Sequence, residues 1–365
     1  MLCEYNCSNR GEQLMSCEYE QLSLFEMPIS TTNVEKNNTK DLKDVSSGSP
    51  VSEEILQSFS IMELPFFGCD FDSIYPKLLE ILPQEQTSFD CFSLNEKLTC
   101  EIICAAICHQ MNWDYLRNVV FEKTKDEPSW LLPDNLSQIS EDEIADLFAS
   151  YPKRERVRKA ERTSIIRDVG RWLKSYSSVS ALFLAPGGDL LSCAEVRHNL
   201  LSCKPLANDP EEKKMQLLLQ KASAYTPLEG LEKYYRPAID YHLIRCYLRR
   251  GLIFAKTKSA INYIENKDSK KKESTVAAIR KLCSDLLTNI CDYTSLSILS
   301  VNQIEWNIGR SICVQDCPDC TLHSPDASWL KPHFTRCPFY VTCAARQQNP
   351  ALLTLNEPNY LGTSY

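Results

Sequence analysis

The sequence predicts an all-α protein. Apolar residues recur at helical spacing through successive stretches, and no alternating strand pattern of any length breaks them. The C-terminal end adds a different signal, because Cys313, Cys317, Cys320, Cys337 and Cys343 crowd into IGRSICVQDCPDC, a sixteen-residue spacer and CPFYVTC. Clustered thiolates are soft metal ligands. The expected organisation is therefore a tail over 1–55, a helical body over 56–300, a cysteine-rich loop over 301–350 and a short tail over 351–365.

The N-terminal 55 residues are rich in Ser, Thr, Asn and Glu and show no lasting periodicity, the composition of a disordered acidic tail. MELPFFGCDFDSIYPKLLEIL then reads as a turn followed by a short helix. A strong helix is expected from Asn95 to Val120, with Leu98, Ile102, Ile103, Ala106 and Ile107 on one face. Cys100, Cys104 and Cys108 share a face of it, either as small core hydrophobes or as a ligand ladder. Ser140 to Phe148 carries a capping box, Ser140 with Glu143. An Arg-rich helix is expected from about Pro152 to Lys174. Its opposite face is either a solvated, ion-paired surface or a phosphate contact through side chains such as Arg158 and Arg162.

APGGDLLSCAEVRHNLLSCKPLANDP reads as turn-rich, and its Gly-Gly lacks the GxxxxGK[ST] pattern of a phosphate loop. Helices follow over 209–224, 238–255, 275–292 and 300–310, with KDSKKKES an exposed loop between the second and third.

Composition limits the function classes. The chain has 365 residues, 43% of them hydrophobic, enough for a substantial core in one large or two ordinary domains. No apolar run approaches the roughly 20 residues of a membrane span, and MLCEYNCSNRGEQ lacks a signal-peptide layout. The 18 cysteines then read as reduced thiols in an intracellular compartment, cytoplasmic, nuclear or nucleoid. A net charge of -8 argues against nonspecific coating of nucleic acid. However, the first 60 residues hold ten acidic and four basic side chains, and residues 153–174 hold nine Lys or Arg against three acids. An acidic tail on a near-neutral body with one basic stripe is compatible with DNA binding.

Two strings carry the chemistry. Ala238-Ile239-Asp240-Tyr241-His242-Leu243-Ile244-Arg245 runs on into Leu248-Arg249-Arg250-Gly251. Ile308-Gly309-Arg310-Ser311-Ile312-Cys313 is followed by six residues to Cys320, and Cys337 by five to Cys343. Together they resemble the endonuclease III-like branch of the helix-hairpin-helix DNA glycosylase superfamily, with its V-D-x-H-[VIL]-x-R string and its G-R-x-x-C-x6-C-x2-C-x5-C loop. Ile107-Cys108-His109-Gln110 resembles the family's early helix, which ends in a DNA-wedging glutamine. The resemblance spans most of residues 95–345, with insertions. It implies a two-lobed helical glycosylase-like fold and a [4Fe–4S] cluster on Cys313, Cys320, Cys337 and Cys343. It further implies Asp240 as the catalytic carboxylate, Gln110 against DNA, and a modified or damaged base as substrate.

The chain departs from the pattern in two places. TPLEGLEKYYRPAID holds only Gly230 where a glycine hairpin belongs, and Lys233 matches no motif position for a Schiff-base lysine. Sixteen residues separate Cys320 from Cys337, where the family has two.

On the residues alone, two metal readings stand. Four thiolates satisfy a [4Fe–4S] cube with Cys317 spare. Zinc would use Cys317-Pro-Asp-Cys320 as a knuckle with Cys337 and Cys343, or recruit His323 or His333. Asp240 is either a carboxylate facing an oxocarbenium-like state or the N-cap of the helix after Pro237. His242 and Arg245 read as structural, one bonded within the core, the other paired with a carboxylate. Besides a monofunctional glycosylase, the sequence allows an inactive nucleic-acid-binding or scaffold protein on the same fold, and a zinc-stabilised interaction module.

Overall fold

The structure is a computed structural model that describes residues 59–61, 71–83, 91–209, 211–226, 228, 231–257, 260, 273–315, 318–355 and 357. The chain divides into two units, Met1–Ser47 and Gly48–Tyr365, and every described residue belongs to the second. The expected N-terminal tail, Cys317, Gly230 and most of the KDSKKKES run lie outside the described residues. The described part is mostly helical, in keeping with the all-α expectation.

A short strand β1 (Phe59–Ile61) precedes helix α1 (Phe71–Ile81). Helix α2 (Leu94–Ile107) is launched by a Ser93–Glu96 capping box, and α3 (Trp113–Asp126) by Asn112, whose Oδ1 accepts from Tyr115 N–H at 2.9 Å. One continuous helix was expected over 95–120. Gln110 takes a left-handed φ of 55°, which ends the first helix, and the Asn112 cap starts the second. Cys100, Cys104 and Cys108 are buried in the core, as the packing alternative had it.

Helices α4 (Pro133–Gln138) and α5 (Glu141–Leu147) follow, the latter with the expected Ser140–Glu143 box. The Arg-rich helix is shorter than expected. Arg154–Arg156 form a single 3-10 turn, Arg158 turns left-handed at φ 47°, and α6 begins only at Lys159, running to Leu173. The stretch expected to be turn-rich contains α7 (Cys193–Leu201), started by a Ser192–Glu195 capping box that competes successfully with the turn residues before it, and the short α8 (Lys204–Ala207). Helix α9 (Lys213–Ala222) completes the first core, built from α2 to α9 around Leu98, Ile103, Leu116, Phe148, Ile166 and Leu218.

The short α10 (Leu231–Tyr234) leads to α11 (Tyr241–Arg250). The expected helix over 238–255 stops early because Gly251 adopts φ 75°, the left-handed C-terminal position glycine favours. The chain then extends into β2 (Ile253–Ala255), antiparallel to β1 with Ser60 opposite Phe254. This small sheet was not expected, since three-residue strands are too short to show alternation. Helices α12 (Glu273–Thr294) and α13 (Ile298–Ser311) pack with α1 and α11 around Tyr75, Leu243, Tyr247, Leu286 and Ile304. The last helix, α14 (Ala344–Gln347), follows the cysteine loop. Trp306 is half-buried and packs against both cores. No helix among the described residues is long and apolar enough to cross a membrane.

Candidate metal centre and the helix beside it

The cysteine loop is gripped by α11. This helix is too rich in charge to bury easily, yet Arg245, Arg249 and Arg250 are each at most 5% exposed. Buried guanidinium groups need acceptors for their N–H donors, and each of the three finds several. Arg245 donates from Nε to the Cys313 carbonyl at 2.7 Å, from Nη1 to Glu357 at 2.8 Å and from Nη2 to the Gly309 carbonyl at 3.1 Å. Arg249, one turn on, reaches the carbonyls of Val314, Gln315 and Leu355, each at 2.7 Å. Arg250 turns the other way, onto Glu305 at 2.7 and 2.8 Å, with its guanidinium 3.7 Å from the Phe339 ring centroid.

Gly309 lets α13 lie directly on α11. A Cβ there would stand 2.8 Å from the His242 Cβ and 3.1 Å from its carbonyl oxygen. His242 Nδ1 lies 2.8 Å from Arg245 Nη2 and 3.2 Å from the Gly309 oxygen. A guanidinium can only donate, so Nδ1 accepts and the ring proton is assigned to Nε2. Burial holds His242 below its ordinary pKa. The structural readings of His242 and Arg245 therefore hold.

Asp240 is the N-cap of α11. Its Oδ1 accepts from the amides of His242 at 2.8 Å and Leu243 at 3.2 Å, and the residue is 9% exposed. Among the described residues no hydrogen-bond partner is found for Oδ2. The capping alternative is thus realised, and it uses one oxygen of the two.

The backbone brings Cys320 and Cys337 together despite the long spacer. The Cys337 amide donates to the Cys320 carbonyl at 2.8 Å, closing the excursion at its base. Asp319 folds its start by accepting from the amides of His323 and Ser324 at 2.8 and 2.7 Å. Ser324 caps a 3-10 turn over Pro325–Ala327, Leu322, Ala327 and Leu330 enter the core, and Trp329 Nε1 donates to Ser311 Oγ at 3.2 Å.

Electrostatics tie the sulfurs together. The Cys337 thiol is pushed up by burial and then by the charges of Cys320, Cys313 and Cys343. Cys320 and Cys343 are raised by burial and by Cys313. Cys313 goes the other way, lowered to about 6 by a hydrogen bond from Cys246, against the cost of burial and with help from Arg249 and Arg245. Arg249 Nη1 stands 3.7 Å from Cys313 Sγ, and Arg346 Nε donates to Cys320 Sγ at 3.1 Å. Among the described residues, no three His, Cys, Asp or Glu side chains are gathered closely enough to form a group that could hold a metal ion. The donor set nevertheless suits a group bound by several thiolates, since two guanidiniums and a thiol offset the negative charge it would collect. His323 and His333 are exposed on the excursion.

Cys246, Arg249 and Arg346 were not anticipated at this site. Arg249 sits one helical turn after Arg245, and that spacing was a usable signal. For Cys246 no sequence signal exists.

The expected nucleic-acid contacts fare differently. Gln110 is half-buried at the turn between α2 and α3. Arg158 is bound to Glu161. Arg162 is fully buried, donating to the carbonyls of His109 at 2.6 Å, Arg156 at 2.8 Å and Val157. A phosphate contact from Arg162 is therefore corrected: its donors hold the start of α6 to the end of α2. Behind it, the His109 Nε2 atom lies 2.7 Å from Glu161.

In comparison with known proteins, no protein-family model and no curated sequence matches this chain.

Proposed function

We propose that this chain is an iron–sulfur protein of the helix-hairpin-helix DNA glycosylase kind, recognising or excising a modified or damaged base without a lyase lysine. The observation that carries the proposal is the joint between its two singled-out strings. The Asp240-Tyr241-His242-x-x-Arg245 helix is bonded to the Gly309 and Cys313 carbonyls of the second string through Arg245, and His242 packs against Gly309. Two strings chosen separately, on separate elements, thus make one structural unit.

Cys313, Cys320, Cys337 and Cys343 would hold the cluster, which when bound cross-braces the loop. Chemistry falls to Asp240. Its Oδ1 is fixed by two amides, so the carboxylate has a set orientation. A carboxylate so held stabilises the oxocarbenium-like charge of N-glycosidic cleavage, and Oδ2 is the oxygen left to hold a water. The base must first leave the stack. A second reading keeps the cluster and DNA binding without catalysis. It is favoured by the ordinary N-cap geometry of Asp240 and by the missing glycine hairpin.

Anaerobic purification followed by iron, acid-labile sulfide and zinc analysis is the decisive test. Iron and sulfide in equal amounts support the proposal, and zinc on the same thiols would replace it with an interaction module. Oligonucleotides carrying modified bases then separate the two glycosylase-fold readings. Cleavage lost in Asp240→Asn supports catalysis, and cleavage unchanged removes Asp240 from the mechanism.

A further inference from the structure

The sixteen-residue excursion between Cys320 and Cys337 is not spent on holding the cysteines, since one backbone bond closes its base. Its inner face is anchored by Leu322, Ala327, Leu330 and Trp329. Its outer face presents His323, Lys331, His333 and Arg336, all exposed. Lys77 of α1 joins them, its Nζ 4.8 Å from the centroid of the half-buried Phe334 ring. Arg336 lies 4.8 Å from the Tyr340 ring. Among the described residues, Lys77, Lys331 and Arg336 have no carboxylate partner, and over 321–347 Asp326 is the one acidic residue.

Cations without a carboxylate partner, Lys331 donating to the His323 carbonyl at 3.3 Å and the others beside part-exposed rings, on a segment ordered before any partner arrives, fit a polyanion with stackable bases. Preordering matters because the surface forfeits little conformational freedom on binding. We propose that the excursion, together with Lys77, is the surface that contacts the phosphodiester backbone of nucleic acid. This rests on the nucleic-acid reading above and adds where the strand is held.

The test uses the full chain and fluorescence anisotropy with labelled single-stranded and duplex oligonucleotides across a salt series. A Lys77→Ala/Lys331→Ala/Arg336→Ala variant is compared with a Lys153→Ala/Arg154→Ala/Arg156→Ala variant on the 3-10 turn before α6. Thermal melts confirm that both remain folded. The expected result is weaker binding by the excursion variant, with the slope of log affinity against log salt shallower by about three, one per cation. The turn variant keeps the wild-type slope. An unchanged slope in the excursion variant, or a loss confined to the turn variant, overturns the inference and leaves the nucleic-acid reading standing. A wild-type chain that binds neither oligonucleotide overturns both.

Discussion

Residues 153–174 carry nine Lys and Arg, while residues 313–347 carry three. Most of the larger number are paired or buried, with Lys153, Arg154 and Arg156 the three whose side chains have neither a carboxylate nor a backbone-carbonyl partner among the described residues. On α6 and its approach, Arg158 binds Glu161, Lys159 faces Glu141 and Asp142, Arg171 binds Asp168 and Lys174 binds Asp134. Arg162 and Arg167 donate to backbone carbonyls. In the cysteine loop, Lys331 and Arg336 stay in solvent without a carboxylate, and Arg346 turns onto a sulfur. Charge counted along a sequence measures neither exposure nor pairing. A basic stripe becomes a binding surface only where the fold brings it no acids.

The largest expected effects come from buried guanidiniums in the two regions. Arg249→Met strands the carbonyls of Val314, Gln315 and Leu355 and should cost about 3 kcal/mol or more in urea denaturation. If the cysteines hold the proposed cluster, it should also lower iron per folded chain. Arg162→Met should cost a similar amount yet leave iron content unchanged, because it strands carbonyls at the α2–α6 junction instead. Equal iron in both variants would erase the distinction between the regions.

Acid should act on the α6 side. Burial pushes His109 down to about 3 from its ordinary 6.5. Between those values the unfolded chain binds a proton that the folded chain refuses, so stability falls as pH drops through that window. Glu161 adds to the loss at lower pH. Burial raises its pKa, but His109, Arg158 and Arg162 outweigh burial and hold it below the usual carboxylate value. Stability curves of His109→Gln should be flatter over this range by a few kcal/mol, and parallel curves would show that His109 does not titrate on unfolding.

Gly309→Ala tests the α11–α13 contact. Forcing a methyl against the His242 backbone should cost about 1 to 3 kcal/mol, visible as a lower melting temperature. The smallest effect belongs to the exposed pairs. Arg171→Ala and Lys174→Ala should each change stability by less than about 0.5 kcal/mol and leave the salt dependence of oligonucleotide binding untouched.

The sequence made some of this legible. Capping residues announced α5, since Ser140 and Glu143 form their box locally, whatever surrounds them. The burial of Cys100, Cys104 and Cys108 followed from their place on an apolar face. What stayed hidden depended on distant partners or single dihedrals. Gln110 and Arg158 break helices through left-handed backbone that neither residue type advertises. Arg162 looked like a surface cation because its carbonyl acceptors come from turns on either side. Cys246 meets Cys313 only through the packing of α11 on the loop.

The bond between the Cys337 amide and the Cys320 carbonyl has an evolutionary reading. It makes the excursion a side branch whose two feet stand together, so its exposed outer residues can be exchanged without shifting Cys320 and Cys337, while Leu322, Ala327 and Leu330 stay tied to the core. Such a branch is free to diverge quickly while the loop beneath it stays fixed. It also offers protein engineers a grafting port beside Cys320 and Cys337, where new recognition residues can replace the exposed His323, Lys331, His333 and Arg336.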